Sequence, residues 1–144
     1  MIQEFGVKNF YSIKNEQKIS FVPTPDGTQA ENYFHEVKPG VNLLKIGIIY
    51  GSNASGMSNM LMALDFFHDL MRSVPQDRMS KIEGYAPFLL DDTSRNETCK
   101  MRLVFWLDRE RYIHEIEFDD KRIYKDSLIF YGSQRPTTLY DRTY

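Results

Sequence analysis

The sequence is poor in the residues that staple a chain or anchor it. It has one cysteine, Cys99, so no intrachain disulfide can form, and such sparse thiol usage fits a reducing compartment. No apolar run nears the ~20 residues that a membrane helix needs. The opening Met1-Ile2-Gln3-Glu4-Phe5 lacks the basic and apolar segments of a secretion signal. The expectation is a cytoplasmic protein with no membrane contact. Basic charge is not in surplus. Eighteen Lys and Arg face twenty Asp and Glu, giving a formal net charge of −2 and a pI of about 5.9. No overall positive field draws nucleic acid or anionic lipid. Internal repeats and low-complexity tracts are missing too.

Aromatic residues, in contrast, are plentiful. Ten Phe, nine Tyr and one Trp supply buriable area, which excludes a disordered chain. At 144 residues the chain makes one ordinary domain or one lobe of a larger one.

Periodicity divides the chain. Residues 2–10 and Lys18-Ile19-Ser20-Phe21-Val22 predict an antiparallel strand pair. Pro23, Pro25, Asp26 and Gly27 break that pattern, and residues 26–40 read as a surface loop. Val41 to Tyr50 is nearly continuous in apolar residues from Leu43, the look of a strand covered on both faces. After a small-residue turn, Met60, Ala63, Leu64, Phe67, Leu70 and Met71 mark one face of an amphipathic helix of about four turns. Residues 74–98 read as loop. Met101, Leu103, Phe105 and Leu107 alternate, as do Tyr112, His114, Ile116 and Phe118. The turn Asp108-Arg109-Glu110 makes the pair a hairpin. Further strand material follows at Ile123-Tyr124, Ser127 to Tyr131 and Thr138-Leu139-Tyr140.

The informative stretch is Gly51-Ser52-Asn53-Ala54-Ser55-Gly56-Met57-Ser58, set between an expected strand and a helix. Phosphate-binding loops carry G-x-x-x-x-G-K-[ST] in that context. Glycines let successive N–H groups curl inward, and the helix adds the positive end of its dipole. Ser58 stands where a hydroxyl would bind Mg²⁺. The lysine position holds Met57, a thioether with neither charge nor donor. A glycine-containing helix entry without any ligand accounts for the same spacing.

Gly51 to Gly56, followed by Ser58-Asn59-Met60-Leu61-Met62-Ala63-Leu64, resembles the Gly-x-Asn-x-Ser-Gly-Lys-Ser-Asn-Leu-Leu-x-Ala-Leu run of AAA-family ATPases of the ABC-type, RecF/SMC-like group. Phe5-Gly6-Val7-Lys8-Asn9-Phe10-Tyr11-Ser12-Ile13 is similar to the first strand of those proteins. Pro87-Phe88-Leu89-Leu90-Asp91 and Tyr112-Ile113-His114-Glu115-Ile116 fit its single-chain members. The resemblance implies an α+β P-loop NTPase fold over residues 1–144, the ATP-binding N-terminal lobe of an ABC-type ATPase. In that fold a strand–P-loop–helix unit stands beside an antiparallel β subdomain. It implies ATP and Mg as ligands. Nucleotide contacts would come from Gly51, Ser52, Asn53, Ala54, Ser55, Gly56, Met57, Ser58 and Asn59, with Mg on Ser58 and the base or ribose near Tyr11. It implies as partners a complementary C-terminal lobe or a second copy, and DNA or a defence-system protein.

The chain departs from that pattern at Met57 and in lacking a Leu-Ser-Gly-Gly-like signature. No run of four apolar residues ends in an Asp-Glu pair, as a Walker B element requires; of the adjacent acidic pairs, Asp91-Asp92 follows Leu89-Leu90 in an expected loop and Asp119-Asp120 sits in a turn. Hydrolysis by this chain alone is not expected, and no residue receives a catalytic role. A non-catalytic protein-interaction module is the alternative.

The remaining chemistry-bearing residues read more plainly. His35, His68 and His114 are far apart and near no Cys pair, so metal-site spacing is absent. His68 with Asp65 and Asp69 reads as solvated charge on the helix. Cys99 has no adjacent His and no C-x-x-C partner, which argues against a nucleophile. Arg109, Arg111, Lys121, Arg122 and Lys125 are offset by Glu110, Glu115, Glu117, Asp119 and Asp120, as on a solvated edge.

Overall fold

Period-two alternation builds most of the molecule. The computed structural model describes residues 1–53, 55–72, 81–132 and 135–143. In order, these form β1 (Ile2–Lys8), β2 (Gln17–Ser20), a short helix α1 (Ala30–Tyr33), β3 (Phe34–Lys38), β4 (Val41–Leu44) and the long helix α2 (Met57–Arg72). After a 3-10 turn at Ser94–Asn96 come β5 (Cys99–Leu107), β6 (Glu110–Phe118), β7 (Ile123–Tyr131) and β8 (Thr137–Thr143). Six strands make one sheet in the order β2-β1-β5-β6-β7-β8, and every neighbouring pair is antiparallel. The expected strand pair 2–10/18–22 and the hairpin across 108–110 are both present. Asp108 (φ 50°) and Arg109 (φ 67°) both sit at positive φ, as a tight two-residue hairpin turn requires.

One face of this sheet is apolar. Phe5 pairs with Leu103 and Val7 with Met101, and Met101 pairs with Ile116 on the next strand. The expected amphipathic helix, α2, lies on that face. Met60, Ala63 and Phe67, three and four residues apart, are its buried residues. They join Phe5, Val7, Phe10, Met101, Ile116 and Phe118 in one core. Phe67 meets Phe5 edge-on at 5.8 Å between ring centroids, and Phe66 stacks on Phe118 at 5.5 Å. The other face carries an ion-pair chain. Arg102 reaches both Glu4 (3.0 Å) and Glu115 (3.2 Å), and Lys125 reaches Glu115 (2.9 Å).

The P-loop NTPase fold expected from the resemblance is not what the chain adopts. That fold needs the strand ahead of the loop to lie in a parallel, doubly covered sheet. Here both sheets are antiparallel throughout, and α2 packs on an antiparallel meander. Only Val41–Leu44 of the expected buried strand is a strand, and it pairs with β3 in a separate two-stranded sheet. Beyond it, Ile46, Ile48 and Tyr50 are 65%, 82% and 90% exposed. No neighbouring strand covers them among the described residues, so apolar composition alone misled. The loop expected over 26–40 holds α1 and β3 instead, with Gly40 (φ 78°) turning the β3–β4 hairpin. Among the described residues, no helix is long and apolar enough to cross a membrane.

Candidate functional site

The entry to α2 is set by two loops that meet. The first follows β1. Asn9 and Tyr11 both take positive φ, 57° and 49°, and fold residues 9–14 into a tight reversal. The Asn9 and Phe10 amides donate to the Lys14 and Ile13 carbonyls. Asparagine tolerates this backbone region better than most residues, and here its side chain is also engaged. The buried Asn9 amide donates to the Ser94 (2.9 Å) and Glu97 (2.8 Å) carbonyls, and its oxygen accepts from the Phe88 N–H (2.8 Å). The reversal holds Ser12 against the start of α2, where its Oγ accepts from Asn59 Nδ2 at 2.5 Å.

The second loop is the glycine stretch itself. It is curled rather than extended. The Ser55 N–H donates to the Ser52 carbonyl at 3.2 Å. A Cβ on Gly51 would stand 2.8 Å from Ser55 Oγ, so any larger residue there would make the Ser55 hydroxyl turn away. Gly56 takes φ 89° and accepts the first helical hydrogen bond, from Met60. The N–H groups at the start of a helix have no carbonyl one turn back to meet. No acidic residue occupies the first turn of α2, so the positive end of its dipole is uncompensated.

Between the two loops lies a cleft of about 600 Å³. Its walls include Ser12, Lys14, Gly51, Ser55, Gly56 and Met57, and among the described residues none of its lining is acidic and Lys14 is its one cation. The Lys14 ammonium lies 2.5 Å from Asp91 Oδ2. That contact, with the Ser94 backbone N–H, holds the Asp91 carboxyl well below the usual range. Asp91 thus serves the 3-10 turn and Lys14.

The cleft gathers only some of the expected nucleotide contacts. Gly51, Ser55, Gly56 and Met57 line it, whereas Ser52 and Asn53 are exposed outside its walls. Ala54 lies outside the described residues. Ser58 is exposed and Asn59 is engaged with Ser12, so neither is a lining residue. Tyr11 lines a different cleft, with Phe66, Asp65 and Asp69, and its hydroxyl donates to the Gly84 carbonyl. The sequence reading passed over Ser12 and Lys14. Their position three to five residues beyond Asn9 in a reversal is a tertiary fact that local patterning does not contain.

The other candidates are accounted for by structure. Cys99 is fully buried in the core, and burial pushes its thiol up, away from nucleophilic use. Arg111 and Arg122 lie over the Tyr131 and Tyr124 rings, and Lys125 pairs with Glu115. A second cleft, of about 750 Å³, runs between α2 and the sheet past Leu103, Phe105 and Leu128. In its wall His114 Nε2 lies 2.9 Å from Asp126 Oδ1 and 3.1 Å from the Tyr140 hydroxyl. Burial and the Asp126 charge push Tyr140 up to about 12. On the exposed side of α2, the ligand atoms of Asp65, His68 and Asp69 all lie within 4.8 Å of one another.

No family model, curated protein or solved structure matches this chain.

Proposed function

We propose that the protein binds the phosphates of a nucleoside triphosphate in the cleft between residues 12–14 and 51–57, without hydrolysing it. The observation that carries this reading is the turn in which Ser55 N–H meets the Ser52 carbonyl and Gly56 takes φ 89°, leading into a helix with no acidic residue in its first turn. A helix dipole and the N–H groups of a first turn favour an anion there. The reading rests on that local geometry and not on a P-loop NTPase fold. ATP is the ligand that the loop's resemblance implies, and Mg, if it accompanies the nucleotide, has the Ser58 hydroxyl as its candidate ligand. Among the described residues no carboxylate lines the cleft to activate water, and Met57 offers no charge to a transferring phosphoryl group.

Calorimetric titration with ATP and Mg²⁺ tests this on three proteins: the chain as it is, Gly51→Val and Met57→Lys. Binding by the unaltered chain is expected, with weakening in Gly51→Val, whose side chain would displace the Ser55 hydroxyl and crowd the cleft wall. Restoring the lysine adds a charge-assisted bond worth roughly 1.5–3 kcal/mol, or about tenfold to a hundredfold in affinity. If neither the unaltered chain nor Met57→Lys takes up nucleotide, the reading falls.

A second reading has its own observation. Ile46, Ile48, Ile49 and Tyr50 form an exposed apolar run just ahead of the loop, as in a protein-interaction module. Light scattering separates the two: an association that Ile48→Ser abolishes while ATP leaves it unchanged favours the module.

A further inference from the structure

We propose that Asp65, His68 and Asp69 form a binding site for a divalent transition-metal ion such as zinc, on the outer side of α2 and independent of the phosphate cleft. Positions i, i+3 and i+4 fall on one helical face. Asp65, His68 and Asp69 occupy those positions, and each offers one ligand atom within 4.8 Å of the others. His68 Nδ1 already lies 3.5 Å from Asp69 Oδ1. A zinc ion with bonds of 2.0–2.2 Å needs its ligand atoms about 3.4 Å apart. All three side chains are exposed and free to turn, so a change of about an ångström closes the set.

The charge arrangement favours a cation. Asp65 and Asp69 are like charges one helical turn apart, a spacing at which they repel. Among the described residues, neither carboxylate forms an ion pair with a lysine or arginine. Lys81, which borders the same cleft as Asp65 and Asp69, is paired with Asp120 at 3.3 Å. One imidazole with two carboxylates is a donor set that suits zinc and similar ions, and it is less selective for calcium or magnesium. Three protein ligands leave at least one position for water. Asp65 and His68 also border the 750 Å³ apolar cleft, so that open position lies at its mouth.

Zinc chloride titrated calorimetrically into the full chain, with cobalt(II) absorption as a second readout, tests the assignment. One ion per chain is expected, with visible cobalt bands. Asp65→Asn, His68→Ala and Asp69→Asn should each weaken binding by at least about tenfold, the scale on which metal sites respond to loss of a supporting group. His35→Ala and His114→Gln should leave the affinity unchanged. The altered side chains in the site are solvent-exposed, so melting curves of the ion-free variants should overlay. No uptake by the unaltered chain at millimolar zinc overturns the proposal. So does undiminished uptake by the triple variant, which would place the ion elsewhere.

Discussion

Two apolar segments of this chain meet opposite fates. Residues 99–105 and 45–50 are both rich in apolar residues, the first broken by Lys100 and Arg102, the second opening on Lys45 and broken by Gly47. In the first, alternate side chains point at α2, and Cys99 and Met101 are fully buried. In the second, Ile48 and Tyr50 stand 82% and 90% exposed. The difference is the company each segment keeps. β5 has β1 on one side, β6 on the other and a helix above. Residues 45–50 touch Phe21 at Gly47 and the Tyr33 carbonyl at Lys45, and among the described residues no strand or helix pairs with them. Burial is a property of paired elements, so hydrophobicity in a sequence states a demand that only topology can meet.

The sharpest way to break the comparison is to truncate one apolar residue in each region. Phe67 sits in the core against Phe5, and Phe67→Ala should cost about 3–5 kcal/mol of stability in chemical denaturation. Ile48→Ala should change stability by less than about 0.5 kcal/mol, because nothing is lost on exposing what is already exposed. Equal effects would mean that residues 45–50 are covered in solution.

A smaller effect separates the two loops at the cleft. Asn9 reaches four backbone groups from its buried position, so Asn9→Ala takes the side-chain partner from the Glu97 carbonyl and the Phe88 N–H, while the Ser94 carbonyl keeps the Glu97 N–H. Leaving such groups unmet costs about 1–3 kcal/mol. It should also weaken nucleotide binding, since Ser12 and Lys14 depend on the reversal that Asn9 anchors. The glycine loop makes no comparable tether. Ser52→Ala, on an exposed side chain, should leave stability within about 0.5 kcal/mol. Denaturant midpoints for the two variants decide it.

The sheet and α2 were legible in the sequence because their information is local. Period two at 101–107 and 112–118, and the three-and-four spacing from Met60 to Met71, each name an element and its inward face. The turn ahead of α2 was legible as well, since Gly56 takes φ 89°, a conformation that favours glycine. The fold class was not. The resemblance at 51–64 implied a parallel sheet, but which strands neighbour one another depends on partners distant in the chain. The cleft's other wall was hidden for the same reason. Ser12 and Lys14 reach it only because Asn9 ties β1 to the Ser94–Glu97 turn, 85 to 88 residues away. Asp65, His68 and Asp69 were visible as a helical trio and set aside as solvated charge, because no cysteine or second histidine stands beside them.

The smallest expected effect concerns acid, and it sets the charged sheet face against the apolar one. Hydrogen bonding from Lys125 holds the Glu115 carboxyl below its ordinary value of 4.5. Asp91 shifts in the same direction through Lys14. Glu117 does too, where bonds from Thr98 and Lys100 outweigh a desolvation penalty that pushes the other way. A carboxylate with a depressed folded pKa binds its proton more readily when unfolded. It therefore adds stability above the ordinary carboxylate range and loses that contribution as pH falls through the folded value. Stability should decline below about pH 4.5. Lys125→Met removes the donor and returns Glu115 towards its ordinary value, so the acid limb of the melting profile should flatten. Both side chains are about a third exposed or more, so solvent screening keeps the change under about 1 kcal/mol. An unchanged acid limb in Lys125→Met would show that the pair on the outer face contributes nothing measurable, leaving the sheet held by its α2 side alone.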